Sequence, residues 1–377
     1  MRWRAFLPAA IFLGVRALGV ATLAVLCAFT NNDLVDRLTA WDGQWYLRIA
    51  ARGYALGYFT DSRGLPNFFT PRAFFPAYPL LIRTVSLVSG LNVTAAALTA
   101  TLGCGLAAAY GVARLGRLAG GGSPRAGYLL VALFAAGPMS IALSMTYTEA
   151  MFCALAAWAL VGVLERRWWL AGVACAISGL VRSSAFALIV AVVLAALVCA
   201  VRGRDWRPAV AAALAPTGLV GYLWWTGYRV APSAGLGTQL TTWSELEWQG
   251  WDTRFDWGVS TARFIGQVLV SAPYAMSVLT VGVIAGAVLL LAAGIRRRVP
   301  WPLLTYGALI MVMCLGSSGL MHAKPRFLLP AAITLLIPVA RGLDNRRTGT
   351  AALAVLVVAF ASAWFGAYAL TVWKYAV

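Results

Sequence analysis

Of the twelve acids in this 377-residue chain, Asp42 has the setting best suited to chemistry. It stands in Trp41-Asp42-Gly43-Gln44-Trp45-Tyr46-Leu47-Arg48-Ile49-Ala50-Ala51-Arg52-Gly53-Tyr54, where Trp41 and Trp45 shield it from water and leave a carboxylate able to serve as a general base. Asp33 and Asp36, a few residues earlier, read as solvated or helix-capping acids. Glu149, which follows Ser144-Met145-Thr146-Tyr147-Thr148, either caps a helix or holds sugar hydroxyls.

The candidate cations lie far from these acids in sequence. Arg182, in Arg182-Ser183-Ser184 between two apolar runs, has no acid beside it and calls for an anion, phosphate foremost, or a snorkelling path. Met321-His322-Ala323-Lys324-Pro325-Arg326-Phe327 gathers His322, Lys324 and Arg326 beside a helix start after Pro325, which suits either a phosphate site or a lipid-headgroup anchor. His322 is the only histidine and by itself a poor metal ligand. In Phe74-Phe75-Pro76-Ala77-Tyr78-Pro79 the two prolines exclude a regular helix start before Pro79 and set a rigid aromatic turn, fit to shape the mouth of a lipid groove. An outer carboxylate with cations at helix ends suits displacement of a lipid phosphate from a sugar by an acceptor hydroxyl. The base takes the hydroxyl proton and the cations stabilise the departing phosphate, so no second catalytic acid is required.

The elements that must position these residues are membrane helices. With 61% hydrophobic and 11% charged residues, most of the chain has to lie in lipid or against helices that do. The net charge of +18 is scattered in short clusters between apolar runs, which excludes a nucleic-acid-binding domain and reads as a topology signal. Residues 5–29 form a retained first helix rather than a cleaved signal peptide. Ten further spans follow at about 93–113, 126–146, 149–164, 168–182, 184–201, 209–229, 266–294, 301–320, 326–342 and 349–373. The stretch 73–91 is read as interfacial or re-entrant, because that choice puts the clusters Arg114-Arg117-Arg125, Arg166-Arg167, Arg202-Arg204-Arg207, Arg296-Arg297-Arg298 and Arg346-Arg347 on one side, with the N-terminus in the cytoplasm. Two hydrophilic segments, 30–92 and 230–264, then fall outside. The first carries Asp42 on an amphipathic helix with Trp41, Trp45 and Ile49 on one face and Gly53 at its end. All six cysteines lie in apolar runs and are expected as free, buried thiols.

The same residues resemble a known family. Trp41-Asp42 with Trp45-Tyr46, Ile49-Ala50 and Gly53-Tyr54, then Ala73-Phe74-Phe75-Pro76-Ala77-Tyr78-Pro79, Tyr147-Thr148-Glu149-Ala150-Met151-Phe152, Gly179-Leu180-Val181-Arg182-Ser183 and Lys324-Pro325-Arg326-Phe327-Leu328-Leu329-Pro330 are similar, in order, to the bacterial PIG-V type mannosyltransferases, glycosyltransferase family 76 of the GT-C superfamily. The resemblance implies a GT-C fold and a polyprenyl-phosphate-mannose donor used on the outer side of a bacterial plasma membrane. It implies Asp42 as the base and Arg182, Lys324 and Arg326 as donor phosphate contacts, with His322 a lesser one.

The sequence therefore predicts a single all-α polytopic membrane domain over residues 1–377, with about eleven transmembrane helices, a catalytic outer loop at 30–92 and a second outer loop at 230–264. The expected activity is inverting transfer of mannose to a glycolipid or glycan acceptor, with no cofactor and no divalent metal. Trp41, Trp45, Tyr46, Tyr78 and Glu149 are the expected sugar and acceptor contacts, although an interfacial aromatic belt also explains the tryptophans. Two other classes stay open at this level. One is a transporter or flippase of polyprenyl-linked sugars, the other a non-catalytic glycolipid-binding partner of another transferase.

Overall fold

The computed structural model describes residues 2–54, 59–60, 66–67, 71–203, 205–271 and 274–373. Part of the expected catalytic loop, within 55–70, lies outside the described residues. In chain order the helices are α1 (Leu7–Thr30), α2 (Leu34–Leu38), α3 (Asp42–Arg52), α4 (Ala77–Ser89), α5 (Val93–Ala119), α6 (Pro124–Ala135), α7 (Glu149–Leu164), α8 (Trp168–Gly179) and α9 (Ala185–Gly203). They continue as α10 (Arg207–Leu214), α11 (Thr217–Val230), α12 (Leu236–Trp251), α13 (Val259–Ser271), α14 (Ala275–Arg296), α15 (Trp301–Leu315), α16 (Lys324–Leu335), α17 (Ile337–Asp344) and α18 (Thr348–Thr371). Among the described residues strand pairing is limited to the antiparallel contact of Phe59–Thr60 with Pro66–Asn67 and a single antiparallel bridge between Phe255 and Ser317.

Among the described residues six helical segments are long and apolar enough to cross a bilayer, among them Arg4–Thr30, Val93–Ala119, Ala275–Arg296 and Thr348–Thr371, and a seventh if the bent pair α16–α17 counts as one. The sequence expected about eleven, and the difference has local causes. Residues 126–146 are helical only to Ala135, because Gly137-Pro138 ends the helix and a 3-10 turn, Ser140–Ser144, follows. The expected span 266–294 is divided between α13 and α14. The 326–342 span bends by 49° where α16 gives way to α17 at Leu336, just before Pro338. Helices α7, α8 and α15 are shorter than a bilayer-spanning length. In α7 most side chains are buried all round, with alanine at Ala150, Ala154, Ala156, Ala157 and Ala159, so neighbouring backbones approach closely.

The 13-residue α4 rises about 20 Å, short of the roughly 30 Å hydrocarbon core. It buries Tyr78 and Ile82 and exposes Leu80, Leu87 and Val88. Its start corrects the expectation from the prolines: the helix begins at Ala77, ahead of Pro79, because the first-turn N–H groups have no intrahelical acceptor and a proline there removes nothing. Helix α3 runs from Asp42 to Arg52 and closes on Gly53 at φ +69°, as its sequence predicts. The face it buries is Gly43, Tyr46, Ile49 and Ala50, not the Trp41–Trp45–Ile49 stripe. Gly43 decides this, since a Cβ there would run into Thr146 Oγ1, and only glycine lets α3 dock so closely.

The six cysteines are free, with Cys27, Cys153, Cys175 and Cys314 buried. At one end of the bundle α7 and α16 begin. At the other end, where α7 and α17 finish, Arg114 pairs with Glu165 at 2.5 Å, Arg125 donates to the Asp344 and Arg346 carbonyls, and Arg341 donates to the carbonyls of Arg297 and Ala119.

Candidate active site

The acids and cations singled out in the sequence meet at the first of these ends. The segment 38–43 is fastened to the chain before α7: Thr146 N–H donates to the Leu38 carbonyl (3.0 Å), and Tyr147 Oη and Gly43 N–H both donate to the Ala40 carbonyl (3.2 and 3.1 Å). Trp41 takes φ +52° there, a strained value for a tryptophan, directly before Asp42. Asp42 is thereby delivered to Arg326, whose Nη1 lies 2.8 Å from its Oδ2. Oδ1 of Asp42 has no partner among the described residues.

Glu149, the first residue of α7, is 2% exposed and lies between two guanidinium groups, with Arg182 Nη1 at 3.0 Å and Arg326 Nε at 3.6 Å from its Oε1. Arg182 thus has an acid, contrary to what its sequence neighbourhood suggests, because Glu149 reaches it from a different helix. Arg326 is clasped by the Tyr147 and Phe327 rings, each 4.8 Å away, and Arg182 packs over Phe152 and Phe327 at 5.8 Å. These ion pairs lack the alignment of hydrogen bonds. Among the described residues Arg326 Nε and Nη1 and Arg182 Nη1 are buried donors without an acceptor in hydrogen-bond alignment, and the Asp42 and Glu149 carboxylates meet their charge as ion pairs.

Lys324, 2% exposed, donates from Nζ to the carbonyls of Cys314 (2.6 Å) and Ser317 (2.8 Å). Lys324 and Arg326 occupy the first turn of α16, where the helix dipole adds to their positive charge instead of offsetting it. The Asp42 and Glu149 carboxylates and the carbonyls ending α15 offset that charge within the fold, and an anion in the cavity would offset it further.

Asp42, Glu149, Arg182, Lys324 and Arg326 line one cavity of about 250 Å³. Its polar end faces an apolar wall from Ile310, Met313 and Cys314 of α15 and an aromatic wall from Tyr46, Phe74, Phe75, Trp243 and Trp251. The loop 252–255 forms a cover, tied to 315–319 by Ser318, whose hydroxyl donates to the Asp252 carbonyl (2.8 Å) and accepts from Arg254 N–H (3.0 Å).

Four of the expected contacts do not line the cavity. Trp41 packs against the core. Trp45 stacks on Phe74 at 5.4 Å, behind the aromatic wall, so the side chain of Asp42 is held by Arg326 and remains one-third exposed rather than sandwiched between tryptophans. Tyr78 is fully buried and hydrogen-bonded to Thr101 (2.6 Å) beneath Tyr46. His322 sits against Trp373 and Phe264, with Nε2 3.0 Å from Ser277 Oγ.

Sequence reading missed Glu247. It lies on α12 with Trp243 and Trp251 four residues to either side, so all three share the face that lines the cavity. The i−4 and i+4 aromatics around an acid were the available signal. Close packing of α12 on α11 sets that face, since a Cβ at Gly227 would run into the backbone of Gln239, and Trp243 Nε1 donates to the Ala73 carbonyl (3.1 Å). Glu247 is half-buried, and loss of water together with the nearby Asp42 pushes its carboxyl up to about 8. Among the described residues no three His, Cys, Asp or Glu side chains converge as a metal ion would need.

No family model and no curated protein matches the sequence significantly. Two crystal structures of an Archaeoglobus fulgidus oligosaccharyltransferase share its fold. The complex with zinc and sulfate has a TM-score of 0.52 at 15% identity over 94% of this chain and 53% of that one. The apo form has a TM-score of 0.52 at 13% identity over 96% and 56%. The chain thus spans about half the length of the protein it resembles. The likeness defines the class: this is an all-helical, multi-pass integral membrane protein with a GT-C type fold.

Proposed function

We propose that this protein is an inverting glycosyltransferase that moves a sugar, mannose foremost, from a polyprenyl-phosphate donor to a glycolipid or glycan acceptor. The observation that carries this reading is the cavity itself, which Asp42 lines together with Arg182, Lys324 and Arg326, Asp42 being held to Arg326 through one carboxylate oxygen. Asp42 Oδ1 accepts the proton of the acceptor hydroxyl as its oxygen attacks the anomeric carbon. The bond from that carbon to the phosphate oxygen breaks on the opposite face, so the configuration inverts. The electron pair leaves with the phosphate, whose charge is met by Arg182, Lys324 and the positive end of α16. Arg326 holds the other Asp42 oxygen and so fixes the orientation of the base. The aromatic wall suits the C–H face of a sugar ring, and the α15 wall suits the first isoprene units.

The GT-C type fold supports the reading, because the archaeal protein that shares it is an oligosaccharyltransferase. In this reading the positive-inside rule assigns the arginine-rich end of the bundle to the cytoplasm, and the cavity, at the opposite end, works at the outer face of a bacterial plasma membrane. The test is transfer by the purified protein in nanodiscs, with native lipid extract as acceptor and a panel of radiolabelled polyprenyl-phosphate mannose, glucose and pentose donors. The expected result is a labelled lipid or glycan product from the mannose donor. Binding of the donors without a product from any of them would overturn the enzymatic reading.

A further inference from the structure

We propose that Glu247 enters the donor complex as a neutral carboxylic acid, donating a hydrogen bond to the phosphate of a polyprenyl-phosphate sugar, and that its ionisation expels that donor; this rests on the donor reading above.

The argument begins with charge. Among the described residues six carboxyl or cationic side chains line the cavity, Asp42, Glu149 and Glu247 against Arg182, Lys324 and Arg326. With Glu247 protonated the cations exceed the acids by one, which matches the single negative charge of a phosphodiester. With Glu247 ionised the set is balanced before any ligand enters, and an arriving phosphate meets a carboxylate instead of a donor. The other acids are already engaged, Asp42 with Arg326 and Glu149 with both arginines. Glu247 has no ion pair among the described residues.

Its surroundings hold it in the neutral form. Glu247 is half-buried with Trp243 and Trp251 on the same helix face, and α12 packs on α11, on the Pro71–Ala73 turn and, through Trp251, on Trp45 of α3, elements whose titratable groups are Tyr222, Tyr228, Arg229, Arg72, Asp42, Tyr46, Arg48 and Arg52. Tyr222 donates to the Arg72 and Phe74 carbonyls, and Glu245 on the same helix is exposed. Across the cavity Asp42 opposes ionisation of Glu247 and Arg182 favours it, and the former prevails together with burial. A carboxyl titrating at about 8 is mostly protonated near pH 7 and mostly ionised near pH 9.

The experiment measures binding, not turnover, so that titration of Asp42 during catalysis does not enter. Farnesyl-phosphate mannose is titrated onto the full chain in nanodiscs between about pH 6.5 and about pH 9.5, for wild type and Glu247→Gln. A phosphodiester does not titrate in this range. Wild-type affinity is expected to fall about tenfold from about pH 7 to about pH 9, and the always-neutral Glu247→Gln to bind equally at both. Infrared difference spectra of the ligand-free protein supply a second reading, a protonated-carboxyl band near pH 7 that is absent in Glu247→Gln. Wild-type affinity independent of pH, or the same decline in the variant, or no such band, overturns the proposal while leaving the donor reading intact. Absence of binding at every pH overturns both.

Discussion

Asp42 and Glu149 both touch Arg326, yet neutralising each should do opposite things, because one is one-third exposed and the other is buried. Asp42→Asn keeps the shape of a side chain that is 33% exposed and whose pairing with Arg326 is open to water from the cavity, so its effect on stability should be about 1 kcal/mol or less. Glu149 is 3% exposed and lies between Arg182 and Arg326. Glu149→Gln leaves two buried guanidinium groups with only Asp42 between them, and breaking a buried pair in this way costs about 3–5 kcal/mol. At about 2 °C per kcal/mol for a large domain, that lowers the midpoint of thermal unfolding by roughly 6–10 °C, against about 2 °C for Asp42→Asn. Sugar transfer should rank the variants the other way: removing a general base costs about 10²–10⁴-fold in rate, even in protein that remains folded. The assay pairs thermal unfolding in nanodiscs, followed by tryptophan fluorescence, with transfer from radiolabelled polyprenyl-phosphate mannose measured well below the midpoint. If Asp42→Asn loses as much stability as Glu149→Gln, Asp42 is part of the scaffold and the division of roles fails. If it keeps wild-type transfer, Asp42 is not the base.

Gly43→Ala drives a methyl group into Thr146 Oγ1 and should cut transfer at least about tenfold by moving α3 and its Asp42 off Arg326; adding Thr146→Ala should recover part of the loss in kcat/KM. His322→Phe should leave transfer within about threefold of wild type and shift thermal stability slightly, since His322 packs among Trp373 and Phe264 away from the cavity; a hundredfold loss would place it in the chemistry. Arg16 in α1 is buried and donates to the Ser140 carbonyl and, at 2.9 Å, to its hydroxyl, so Arg16→Leu should destabilise by about 1–3 kcal/mol, read as a lower unfolding midpoint, by stripping both acceptors of their donor.

Hydropathy and charge made the membrane class, the helical fold and the arginine-rich end readable from sequence, because the cost of placing a residue in lipid depends on that residue's own composition. Local rules did as well where the deciding groups are neighbours: Gly53 ends α3, and Gly137-Pro138 was the available signal for the early end of α6. Asp42, Arg182, Lys324 and Arg326 were each conspicuous as polar residues at the edges of apolar runs. What the sequence could not set was which acid meets which cation. Arg326 joins Asp42 from near the opposite end of the chain, Glu149 takes Arg182, and Glu247 enters from the second outer loop, in which no acid had been singled out. Those pairings depend on backbone approach at Gly43 and Gly227 and on burial that removes competing water, and both arise only once the helices have packed.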